Sequence, residues 1–194
     1  YSQGSEFSEK EWENLKVATV PNFQNKLFVG IKYGVDGKHV AMSIATKVDE
    51  KIFVESIDCQ SVRNGNTWII SFLKEADIEK VVIDGSGSQQ ILSDEIKDYG
   101  IKLKPVLPKV SDVVVANNMF EQAVTSSKNI CHNDQPSLKQ IVTNCKRRAI
   151  GTNGGFGFKA MMEEHEIALL DSVILAHWAC ATYKGVKKKQ KISC

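Results

Sequence analysis

With 194 residues, 42% hydrophobic and 25% charged, the sequence suits one globular domain with a real core. A net charge of +2 demands no polyanionic partner by itself, yet the cations are unevenly placed: Lys146, Arg147 and Arg148 cluster, and Lys184, Lys187, Lys188, Lys189 and Lys191 crowd the C-terminus. Five cysteines without a CxxC pair or zinc spacing argue against a disulfide frame, and no apolar run is long enough for a membrane span.

The opening YSQGSEF, residues 1–7, reads as a cloning or protease-site remnant and is set aside, which leaves a domain over 8–184 and a basic tail over 185–194. LFVGIKY from Leu27, VAMSIAT from Val40 and KIFVESI from Lys51 read as strands joined by tight polar turns, an antiparallel meander. Thr67 to Ala76 has helical spacing, Lys80 to Ile83 is an interior strand, and Gln89 to Tyr99 is a helix that stops at Gly100. Ile101 to Val106 alternates like an edge strand. Ser111 is the expected cap of a helix through DVVVANNMFEQAVTS, Pro136 opens another through SLKQIVTNCKRR, AIGTNGGFGFKA reads as a glycine-rich hairpin, and Ile167 to Tyr183 is a final apolar helix. A meander feeding right-handed strand-helix-strand crossovers predicts an α/β fold, a mixed sheet flanked by helices.

Three carboxylates stand out. Asp84 closes an interior strand in VVIDGSGSQQIL and is followed by a flexible Gly-Ser loop, where open α/β sheets gather ligand sites. Asp171 interrupts an apolar stripe of Ile167, Leu170, Ile174 and Trp178, a costly place for a charge without a partner or cation. Asp36 follows the first strand in KYGVDGKHV, where a plain Asp-Gly turn would also place an aspartate. Convergence of the three at one sheet end would call for divalent cations with oxygen preference, Mg²⁺ or Mn²⁺, and two such ions can activate a water against a phosphodiester.

The segments LFVGIKYGVDGKHVAMSIA, KVVIDGSG, GTNGGFGF and ALLDSVILAHWA, in this order and spacing, resemble the C-terminal nuclease domain of phage terminase large subunits, of the ribonuclease H-like superfamily. The resemblance implies a metal-dependent endonuclease that cuts concatemeric viral DNA during packaging, in the host cytoplasm. Its metal-binding acids would be Asp36, Asp84 and Asp171, and its cofactors paired Mg²⁺ or Mn²⁺ ions. Its partners would be double-stranded DNA, the terminase ATPase domain, the portal and the small subunit. Many relatives carry an acid in the middle of the first strand, where this chain has Lys32; either Asp36 supplies that carboxylate from the adjoining turn or the site is one ligand short. Lys32, Lys146, Arg147, Arg148 and Lys159 are the expected DNA contacts, with binding that weakens as salt rises. No GxxxxGK[ST] loop is present, so an ATPase is expected elsewhere. A junction resolvase, a hybrid nuclease or a catalytically silent DNA-binding or motor-docking module are the competing readings.

Overall fold

A computed structural model of the chain describes residues 4–185. The first helix, α1, is short (Glu9–Glu13) and is followed by three strands, β1 (Leu27–Tyr33), β2 (His39–Val48) and β3 (Lys51–Ser61). Then come α2 (Thr67–Glu75), β4 (Ile78–Asp84), α3 (Ser88–Asp98), α4 (Val110–Gln122), β5 (Ile130–His132), α5 (Pro136–Val142), β6 (Cys145–Ile150), β7 (Gly155–Ala160) and α6 (Ile167–Thr182). Five strands form one mixed sheet in the order β4-β1-β2-β3-β5, antiparallel within the meander and parallel at both edges, while β6 and β7 form a separate hairpin.

Period-two alternation divides the core between the two faces of the sheet. Val29, Ile31, Tyr33, Val40, Met42, Val81 and Ile83 pack under Ile69, Leu73, Leu92 and Ile96 of α2 and α3. Phe28, Ala41, Ala45, Ile52 and Val82 meet the opposite layer, where α4, α5 and α6 supply Phe120, Leu138, Leu170, Val173 and Ile174. By the same alternation Lys32 and Asp84 lie on the α6 side of the sheet.

Helix α6 approaches β1 closely because Gly30 has no side chain: a Cβ there would lie 2.2 Å from the Ser172 carbonyl oxygen and 2.5 Å from the Ala176 nitrogen. A buried hydroxyl pair, Ser43 and Ser172 with oxygens 2.7 Å apart, ties the same helix to β2.

Four expectations are revised. Within the set-aside segment, the described Ser5 and Phe7 pack against the domain: Phe7 is fully buried between Phe120 and Phe158, and the Ser5 hydroxyl donates to the Cys145 carbonyl. Ile101–Val106 forms no strand; Val106 alone exchanges backbone hydrogen bonds with Val81 and Ile83, because Pro105 beside it has no N–H to extend a ladder. Helix α5 ends at Val142, so Lys146, Arg147 and Arg148 stand on strand β6 rather than on a helix end. Helix α4 starts at Val110, which puts Ser111 inside its first turn. The tail from 186 onward lies outside the described residues. Cys59, Cys131, Cys145 and Cys180 are free thiols, and no described helix is long and apolar enough to cross a membrane.

Candidate metal centre

Strands β1 and β4 run parallel with Lys32 directly opposite Asp84. The Lys32 ammonium donates to Asp84 Oδ2 at 2.7 Å, and both side chains are largely shielded, 12% and 21% exposed. The strand position at which the resemblance implies an acid therefore carries a cation that neutralises the neighbouring carboxylate.

Beyond Asp84 the chain must turn sharply under β1. Gly85 has φ +142°, and a Cβ there would sit 2.5 Å from the Tyr33 Cβ, so only glycine permits this exit. The Gly-Ser loop after the strand is thus what lets Asp84 stand at the sheet's end with α3 starting close behind.

Asp171 projects from the sheet-facing side of α6 into the same pocket, which Lys32, Asp84, Asn117, Arg148, Gly157 and Asp171 line. Burial pushes the Asp171 carboxyl up to about 7, against the pull of Lys32 and Arg148; Asp84 and Glu166 push in the same direction as burial. Among the described residues neither Asp171 oxygen accepts a side-chain hydrogen bond, and Asp84 keeps one oxygen clear of Lys32.

Asp36 is not in this pocket. Its Oδ1 accepts from the Lys38 N–H at 2.9 Å, closing an ordinary Asp-Gly turn beyond the end of β1. There it joins His39 and Glu166, whose ligand atoms lie with its own within 4.8 Å; among the described residues this is the group of three with metal-like spacing. His39 Nδ1 is 3.0 Å from Glu166 Oε2, while Glu166 Oε1 accepts from the Ala168 N–H at the start of α6. Sequence reasoning joined Asp36 to the two interior acids and passed over His39, because a turn's direction cannot be read from spacing.

The hairpin sorts the cations by face. Arg148 pairs across the strands with Gly157, and Lys146 with Lys159, so these cations share the side that meets the pocket. Arg147 lies on the other side, where its guanidinium donates to Glu6 at 2.9 Å and to Glu121 and sits 3.9 Å from the centre of the Phe156 ring. It clamps the N-terminal segment rather than facing the pocket.

Two buried histidines, His132 and His177, are structural. His132 stacks on Trp12 at 4.0 Å and bonds its carbonyl, and His177 is buried edge-on to Phe120. Trp68 and Trp178 pack against the two core clusters.

The donor chemistry fits one hard divalent cation better than two. The free oxygens are one from Asp84 and two from Asp171, and the space between the lining residues is about 20 Å³. A single water needs roughly 10–15 Å³ of such room. Two carboxylates facing Lys32 and Arg148 already approach charge balance.

No protein-family model matches the chain, and no curated protein matches it in sequence. Solved structures do match it. The HK97 bacteriophage large terminase aligns over 89% of this chain with a TM-score of 0.67 and 14% identity, and the chain spans 43% of that protein's length. The large terminase nuclease of thermophilic phage G20c, solved with bound magnesium, aligns over 91% of this chain and 98% of its own, with a TM-score of 0.60 and 13% identity. The nuclease domain of the Thermus phage P74-26 large terminase aligns over 94% and 100%, with a TM-score of 0.59 and 12% identity. At these identities the likeness is one of architecture: the chain has the ribonuclease H-like fold of phage large-terminase nuclease domains.

Proposed function

We propose that this chain is a nuclease domain of a phage DNA-packaging terminase, hydrolysing phosphodiesters of double-stranded DNA with a divalent cation. The observation that carries the reading is the meeting of Asp84 and Asp171, far apart in sequence, in one pocket beneath a cationic hairpin. A Mg²⁺ or Mn²⁺ ion held by these two acids would supply charge neutralisation at the phosphate and an activated water.

The protein's own groups do the rest. Lys32 fixes Asp84 in one rotamer and contributes a permanent positive charge beside the phosphate's place. Arg148 faces the pocket from the hairpin, and Lys146 and Lys159 continue the same face as contacts for a DNA backbone. Little sequence preference follows, since this face offers cations but no base-reading element. An ATPase domain and further packaging-motor components, the portal and small subunit among them, complete the proposal. It is consistent with the HK97 large terminase being more than twice as long as the matched part. The host cytoplasm is the proposed compartment.

Plasmid nicking in Mn²⁺ tests the reading: wild-type chain should nick, and Asp84→Ala and Asp171→Ala should not. Activity retained in both variants would refute the assignment.

A second reading is favoured by the Lys32–Asp84 ion pair, which fills part of the pocket with a built-in cation. Under that reading the domain docks DNA or the motor without cutting. Calorimetry separates the two: heat of Mn²⁺ binding near or below millimolar concentration supports the nuclease, and its absence supports the silent module.

A further inference from the structure

Helix α4 crosses the pocket opposite α6 and places one amide there. Asn117 is 3% exposed in the middle of the helix, and its side chain makes no hydrogen bond to the other described residues. Asn117 lines the same small space as Asp84 and Asp171, so its amide is within reach of a ligand held there. Gly157 lets the hairpin pack closely over this space: a Cβ there would stand 2.7 Å from Ile150 Cδ1 and 3.3 Å from Asn117 Nδ2.

We propose that the Asn117 amide oxygen is the third protein ligand of the cation held by Asp84 and Asp171. The inference rests on the one-cation reading above. Strand β1 offers the pocket an ammonium instead of an oxygen, and that ammonium occupies one oxygen of Asp84. A hard cation still requires oxygen donors. A neutral amide supplies one without adding a third negative charge to the two acids, and from α4, which carries no ionised group there.

Mn²⁺ titration of the whole chain by calorimetry, on wild type, Asn117→Leu and Asn117→Asp, tests this. Asn117→Leu, near in volume but without donors, should weaken Mn²⁺ binding about tenfold or more. Its metal-free melting temperature should hold, because the substitution removes no side-chain hydrogen bond and keeps the volume. Asn117→Asp should bind Mn²⁺ at least as tightly as wild type. Equal binding by wild type and Asn117→Leu overturns the ligand role and leaves the nuclease reading standing. Should Asn117→Leu not fold, Asn117→Asp decides: weaker binding than wild type overturns the proposal. No Mn²⁺ binding by wild type brings down the one-cation reading itself.

Discussion

The inner face of α6 and the rim at its N-terminus treat charge in opposite ways. On the inner face, burial pushes Asp171 up to about 7 and, further along the helix, pushes His177 down to about 4, each shift disfavouring the ionised form. At the rim, Asp36 is exposed, and Asp36 and Glu166 each satisfy a backbone N–H from a local turn or helix start. Rim acids are explained by their neighbours; Asp171 is not, and that surplus cost is the ground for the role proposed for it.

The sharpest way to break this contrast is to remove acids from both places. Asp84→Ala and Asp171→Ala should lower Mn²⁺-dependent nicking by about 100-fold or more, while Asp36→Ala should stay within about twofold. A large loss at Asp36 would move the site to the rim. Next in size is Lys32→Met, which strands the shielded Asp84 carboxylate and should cost about 3 kcal/mol in urea unfolding. Added Mn²⁺ should recover part of that loss, because a cation returns to Asp84.

A third test uses pH. The buried His177 binds its proton less readily than an unfolded histidine does, so its contribution is complete above pH 6.5 and is lost as pH falls toward about 4. Melting temperatures between pH 7 and pH 4.5 should therefore fall less in His177→Leu than in wild type. The smallest effects belong to the hairpin. Lys146→Ala and Lys159→Ala should each reduce the logarithmic salt slope of DNA binding by about 1, whereas Arg147→Ala should leave the slope alone and lower thermal stability.

Much of this architecture was legible because its signals are periodic. The meander, the strand ending in Asp84 and helix α6 each repeat apolar residues at the spacing their geometry requires, and Asp171 betrayed itself by interrupting one such stripe. The same signal was present at Asn117, between Val113 and Phe120 on α4, and went unread because an amide draws less notice than a charge. Phe7 and Trp12 were missed for the opposite reason. They are lone aromatics among polar residues, and only the tertiary fold supplies the cavity that buries them. Strand β5 has three residues, too few for any pattern. Lys32 was visible as a departure, but its salt bridge depended on β1 and β4 being neighbours in register, a fact of topology.

The missing side chain at Gly30 has a mechanical consequence. With the helix resting on strand backbone, residue 30 acts as a gauge block: it sets how far α6 stands off the sheet and hence the span between the two interior carboxylates. One methyl group, Gly30→Ala, would lift the helix and stretch the jaws of the site without touching any residue in it.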